Sequence, residues 1–266
     1  MSSLVVRGLH LAVAGRMLVN KLDFEVRPGQ FWCVLGRNGC GKTTLLLTLA
    51  GLRPAEGGEI LLDERPLGSW NWRALARERA LVPQKTVDVF SSTVLDTVLV
   101  GRAPYRGLRG PGCCSGSAEH LLARQALQAF DLEPFATRDV RTLSGGERQR
   151  VAMAAMLVQS PRLALLDEPT AHLDLDAEQR VLRLLAARIA GHSSNAAAGP
   201  PAMALLSLHD VNLAQRFATH VLLFGEQGEV RAGPRDEILN AESLSLAYRH
   251  PVRRIEADGE TWFVAA

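Results

Sequence analysis

Gly36-Arg37-Asn38-Gly39-Cys40-Gly41-Lys42-Thr43 decides how this chain is read. The apolar run Phe31-Trp32-Cys33-Val34-Leu35 precedes it, and Thr44-Leu45-Leu46-Leu47-Thr48-Leu49-Ala50 follows. A strand, a glycine-rich turn and a helix start are the context in which G-x-x-x-x-G-K-[ST] binds phosphate. The glycines let consecutive backbone N–H groups point inward as an anion-holding nest. The positive end of the following helix adds to that field. Gly36, Arg37, Asn38, Gly39, Cys40, Gly41 and Thr44 would then frame the phosphates. Lys42 would reach the β- and γ-phosphates, and the Thr43 hydroxyl would hold Mg²⁺.

A second motif narrows the class. Leu143-Ser144-Gly145-Gly146-Glu147-Arg148-Gln149-Arg150 opens a helical run that continues through Val151 to Val158. Ser144 is a good N-cap, and Glu147 three residues on completes a capping-box pattern. Capping explains a helix start but not two glycines in its first turn, which cost backbone entropy. They fit close approach of an anion to the helix end, so Ser144, Gly145, Gly146 and Glu147 join the candidate nucleotide-binding residues. The run LSGGERQR resembles the signature motif of ABC-type ATPases. The other motifs follow that family's order, and the resemblance covers nearly the whole chain.

Leu163-Ala164-Leu165-Leu166-Asp167-Glu168-Pro169-Thr170 reads as a strand buried on both faces of a parallel sheet, ending in two carboxylates. Open α/β sheets place their ligands at that carboxyl end. The resemblance makes Asp167 the Mg²⁺-binding Walker B aspartate and Glu168 the base that polarises the attacking water. It makes Gln84, in Leu81-Val82-Pro83-Gln84, the Q-loop residue that contacts Mg²⁺ or water and moves with the transport partner. Asp174, in Ala171-His172-Leu173-Asp174, matches the D-loop at a dimer seam. His209, after Ala204-Leu205-Leu206-Ser207-Leu208, matches the switch histidine that senses the γ-phosphate.

The chain departs from the family pattern at one point. Val13 stands where relatives commonly stack adenine on an aromatic ring, and no Tyr, Phe or Trp lies nearby. Base selectivity is then loose, or another side chain covers the ring. Cys40 replaces a small residue and fits as a buried small thiol.

The resemblance implies an α/β P-loop NTPase core with a mainly parallel sheet, a flanking antiparallel β-subdomain and an inserted α-helical subdomain. Residues 1–85 and 161–225 would form the nucleotide-binding core with its antiparallel β-subdomain. Residues 86–160 would form the helical signature subdomain, and residues 226–266 a tail with a hairpin and a short helix. Gly57-Gly58 reads as a turn before the strand Glu59-Ile60-Leu61-Leu62. Gly191 to Pro201 reads as a low-complexity surface insertion.

With 266 residues the chain can bury a large core. A net charge of only +2 gives no reason for a nucleic-acid partner. The four cysteines, two of them in the adjacent pair Cys113-Cys114, show neither zinc spacing nor a secreted disulfide framework. The N-terminus has no secretory pattern, and no run approaches the roughly 20 apolar residues of a membrane-spanning helix. Membrane-spanning parts are therefore expected on other chains.

The resemblance further implies that the phosphate loop of one copy is closed by Ser144, Gly145 and Gly146 of a second, so that a two-fold dimer holds two ATP. It implies a peripheral place on the cytoplasmic face of the inner membrane, bound to permease subunits and served by a periplasmic binding protein. Val94 to Tyr105, Leu208 to Ala214 and Tyr248 to Val264 look like importers of iron-siderophores, haem and cobalamin, with a lean towards cobalamin or a related corrinoid. Val87, Val89 and Phe90 are candidate apolar contacts to the permease, and Arg102, Arg106 and Arg109 candidate basic ones. Two other classes stay open. A soluble ATPase of this superfamily with a mechanical role would show two cassettes or long coiled coils, and a small-molecule kinase would leave Leu143–Arg150 unexplained.

Overall fold

The computed structural model describes residues 3–85, 90–105, 117–171, 173–191, 202–257 and 259–266. The chain begins with β1 (Leu4–Val13), β2 (Arg16–Val26), β3 (Phe31–Leu35), α1 (Lys42–Leu49), β4 (Gly57–Leu62) and the short β5 (Arg65–Pro66). Next come α2 (Trp72–Glu78), β6 (Arg79–Val82), α3 (Val94–Leu99), α4 (Ser117–Ala129) and α5 (Gly145–Gln159). β7 (Leu163–Leu166), α6 (Leu175–Ile189), β8 (Met203–Ser207), α7 (Val211–Phe217) and β9 (His220–Phe224) alternate after that. The last elements are β10 (Val230–Pro234), α8 (Arg235–Ile238), α9 (Ala241–Tyr248) and the hairpin β11 (Val252–Ala257) with β12 (Glu260–Ala265).

The uninterrupted apolar runs become the centre of a six-stranded sheet ordered β10-β9-β3-β8-β7-β6. Strands β9, β3, β8, β7 and β6 are parallel, and every residue of β3, β7 and β8 is buried. Helices cover such a sheet on both faces, which is why these strands read as solid apolar segments. Alternation within each strand then splits the interior in two. Phe31, Cys33, Leu35, Leu166 and Leu206 pack against the helices α3 to α7. Trp32, Val34, Leu165 and Leu205 pack against α1 and a second, antiparallel sheet ordered β2-β1-β4-β5. All five parallel strands end at one edge, where the loops after β3, β6, β7 and β8 meet.

Three local readings change. Gly57 and Gly58 belong to β4 rather than to a turn before it. The β1–β4 pairing slips between Arg7 and His10, and Gly58 takes φ +90° because its Cα backs onto the Gly8 and Arg7 carbonyls. β10 lies beyond residue 225 yet joins the core sheet as its antiparallel edge. Arg102 is largely buried, not a free surface charge: its guanidinium lies 3.9 Å from the Tyr105 ring centroid and 3.6 Å from Glu119. Phe90 is 82% exposed, which excludes packing in the chain's own core. Val87, Val89, Arg106, Arg109, His172, Cys113, Cys114 and most of the 191–201 insertion lie outside the described residues.

Two contacts hold the elements that carry the site. Asn212, near the start of α7, donates from Nδ2 to the Phe263 carbonyl (3.1 Å) and accepts the Phe263 N–H (2.8 Å), tying the C-terminal hairpin down. Gly101, in a short 3-10 turn, lies against α5 so closely that a Cβ would overlap the Ala155 carbonyl oxygen. Gly101→Ala is therefore expected to cost about 2–3 kcal/mol through forced separation of that turn from α5. Urea unfolding monitored by circular dichroism measures it, and an unchanged midpoint would show that the turn shifts freely.

Among the described residues, no helix is long and apolar enough to cross a membrane.

Candidate nucleotide site

Of the residues singled out above, those of the phosphate loop, Gln84, Glu168 and His209 converge at the carboxyl edge of the sheet. A cavity of about 500 Å³ opens over the loop between β3 and α1. Asn38, Gly39, Gly41, Lys42, Thr43 and Thr44 form one wall. Gln84, Glu168 and His209 form the opposite one, and Val13, Arg16 and Leu18 from the β1–β2 hairpin form the end.

The loop holds its shape through glycine. Gly36, Gly39 and Gly41 take φ values of +146°, +72° and +118°. Those conformations are strained for side chains bearing a Cβ. At Gly36 a Cβ would also lie 2.7 Å from the Phe224 Cβ, whereas at Gly39 it would meet open space. Lys42 is only 6% exposed, and its Nζ donates to the Gly36 carbonyl (2.8 Å) and the Arg37 carbonyl (3.4 Å). Among the described residues the buried ammonium is held by carbonyls and by no carboxylate, which fits a loop built to receive phosphate. Arg37 is exposed at the rim. Cys40 is half-buried, and its burial pushes the thiol pKa up against the opposing charge of Lys42.

The carboxylates are fixed by a hydrogen-bond chain. The Thr43 hydroxyl donates to Asp167 Oδ2 (2.7 Å), and the Ser207 hydroxyl donates to Asp167 Oδ1 (2.7 Å). Ser207 Oγ in turn accepts the Glu168 N–H (2.8 Å). Asp167 is 4% exposed and Ser207 fully buried. Glu168 has a left-handed backbone, φ +48°, an uncommon state that costs of order 1 kcal/mol and clusters at functional sites. That turn aims its carboxylate into the cavity, where Oε2 accepts from Gln84 Nε2 (2.5 Å) and Oε1 lies 2.5 Å from His209 Nε2.

Hard oxygen donors from Thr43 and Asp167, with the Gln84 side chain across the cavity, fit Mg²⁺ chemistry. Among the described residues no group of three or more His, Cys, Asp or Glu is spaced to hold a metal.

Two predicted groups lie elsewhere. Ser144 and Gly145 are exposed at the start of α5, and neither they nor Gly146 and Glu147 line the cavity. The capping box is complete: Ser144 Oγ accepts the Glu147 N–H (3.2 Å), and Glu147 Oε2 accepts the Ser144 N–H (2.6 Å). That N–H holds the Glu147 carboxyl below the usual range. Asp174 is exposed and caps α6, with Oδ1 accepting the Ala177 N–H (2.8 Å). Two lining residues, Arg16 and Leu18, and the buried Ser207 behind Asp167 escaped sequence reasoning about function. Ser207 is a polar residue inside an apolar run, a signal that could have marked it. Arg16 and Leu18 could have been found only from the hairpin register that brings them beside Val13.

Fold and site together define a P-loop nucleoside triphosphatase. A family model described as ABC transporter matches residues 19–171, and the chain belongs to that family, whose ATP-binding members hydrolyse ATP to drive transport. It is 36% identical over 250 residues to the hemin import ATP-binding protein HmuV of Rhodococcus jostii, covering 94% of this chain and 80% of that protein. It is 38% identical over 255 residues to HmuV of Deinococcus radiodurans, covering 94% and 91%. Among solved structures it is similar to a metal-chelate type ABC transporter in an inward-facing conformation. That likeness has a TM-score of 0.80 and 28% identity, over 100% of this chain and 97% of the other.

Proposed function

We propose that this chain is the ATP-hydrolysing subunit of an importer that takes up a metal chelate through a separate membrane permease. The observation that carries the reading is the meeting of Lys42, Gln84, Glu168 and His209 around one cavity. Haem is the favoured cargo, because the relatives above are named for hemin import. Those names weigh against the corrinoid towards which the sequence reading leans. Cobalamin and iron-siderophores remain the comparison cargoes. A mechanical role apart from transport finds no support in those names.

In this reading the loop from Gly36 to Thr44 cradles the phosphates, and Lys42 turns from the loop carbonyls to the β- and γ-phosphate oxygens. Thr43, Asp167 and Gln84 would hold Mg²⁺, which when bound would supply neutralisation of phosphate charge. Glu168 orients a water and takes its proton, with Gln84 and His209 fixing the carboxylate. His209 also senses the terminal phosphate. Ser144, Gly145, Gly146 and Glu147, together with Asp174, sit outside the cavity and act across a two-fold interface with a second copy. The division at residues 85/86, 160/161 and 225/226 belongs to the same proposal, with β10 of the last segment lending an edge strand to the core sheet. So does a peripheral place on the cytoplasmic face of the inner membrane, with a periplasmic binding protein delivering cargo.

Reconstitution in vesicles with the permease that co-purifies from membranes tests the reading. Haem on the binding-protein side is expected to raise ATP turnover severalfold and to enter the vesicles. Two copies of the chain are expected per transporter once a non-hydrolysable ATP analogue and Mg²⁺ are present. A chain that stays monomeric under those conditions, or turnover indifferent to haem, siderophore and corrinoid alike, would overturn it.

A further inference from the structure

We propose that Arg16 covers the base of the bound nucleotide, doing with a guanidinium plane what an aromatic ring at position 13 would do. The inference rests on the nucleotide reading above and adds the residue that sets affinity for the base. Val13 and Arg16 are cross-strand partners at the turn of the β1–β2 hairpin, where Ala14 and Gly15 take φ +49° and +79°. Directly paired residues project from the same face with Cβ atoms about 5 Å apart. Arg16 therefore stands beside the position left without a ring. Leu18, at the register shift that follows in the hairpin, is 8% exposed and lines the same end of the cavity.

The hairpin is seated firmly on the phosphate loop. A Cβ on Gly41 would come within 3.1 Å of the Leu18 Cβ, so the Leu18 side chain packs closely on the loop at Gly41. Arg53, beyond α1, donates from Nη2 to the Ala12 carbonyl (3.1 Å) and pins the end of β1. The strand that bears Arg16 is thus held against the phosphate loop, and Arg16 and Lys42 line one cavity.

Chemistry selects the ligand part that Arg16 meets. Its side chain is exposed and forms no hydrogen bond or ion pair with the described residues. An arginine head is planar and weakly hydrated, and it stacks on flat π-systems, which a lysine ammonium cannot do. Val13, 37% exposed, offers only an aliphatic edge. A purine entering above Leu18 would lie between that edge and the guanidinium plane, with its phosphates directed towards Lys42.

Equilibrium binding separates base contact from phosphate contact, with ADP and inorganic tripolyphosphate as the two ligands. Arg16→Ala is expected to weaken ADP binding roughly 5- to 30-fold while leaving tripolyphosphate affinity unchanged. Arg16→Lys, which keeps the charge, is expected to behave like the alanine variant. A parallel loss of tripolyphosphate binding would place Arg16 on the phosphates and overturn the proposal, as would wild-type ADP affinity in either variant. A wild-type chain that binds neither ligand would instead defeat the nucleotide reading itself.

Discussion

Glu168→Gln is expected to cut ATP turnover by roughly 10²- to 10⁴-fold, the contribution of a positioned general base. Nucleotide affinity should stay within a few-fold of wild type, and a nucleotide-bridged pair of chains should accumulate. The surroundings of Glu168 explain why the effect would fall on chemistry rather than on folding. One carboxylate oxygen accepts from Gln84 and the other faces His209, each at 2.5 Å. An amide of the same shape keeps one acceptor and presents an NH₂ to the other partner, and a neutral imidazole nitrogen can accept from it. The backbone anchor, Glu168 N–H to Ser207 Oγ, is untouched. Only basicity is lost. Single-turnover hydrolysis beside equilibrium binding reads the two separately, and undiminished steady-state turnover would remove Glu168 from the role of base.

Lys42→Ala should act on the other half of the reaction. Its ammonium lies 6% exposed beneath the loop, held by two carbonyls and poised for a stronger acceptor. Charge-assisted hydrogen bonds contribute about 1.5–3 kcal/mol each. Binding of ATP, ADP and tripolyphosphate should therefore weaken together, by roughly 10- to 100-fold. That pattern is opposite to the one expected at Arg16, where only the ligand bearing a base is affected. Thermal unfolding should move by only a few degrees, since a buried charge disappears along with its two hydrogen bonds. Wild-type affinity for all three ligands would refute the phosphate role.

The parts of this molecule that could be read in advance are those where chemistry or burial forces the residue type. Phe31–Leu35 and Leu163–Leu166 had to be interior strands, because an apolar run without a polar break has no solvent-facing side. The phosphate loop had to carry glycine where φ is positive. Other features depend on geometry that spacing alone does not encode. Arg16 belongs to the cavity because a tight turn pairs it with Val13. Ser207 matters because β8 runs beside β7 and brings its hydroxyl to Asp167. Gly58 looked like a turn residue, yet it is a strand residue pressed against a neighbouring backbone. Ser144 and Asp174 could be chosen from sequence, but within one chain each already serves as a helix cap.

The strand order has a mechanical corollary. β3, β8, β7 and β6 lie side by side, so the segments bearing Lys42, His209, Glu168 and Gln84 leave from successive rungs of one backbone ladder. Neighbouring rungs are about 4.8 Å apart, a pitch that side-chain repacking scarcely alters. These four segments are thus mounted on a common rack. Slack can enter only through the loops that overhang it, so the spacing of these four side chains changes by loop movement and not by a shift of the strands beneath.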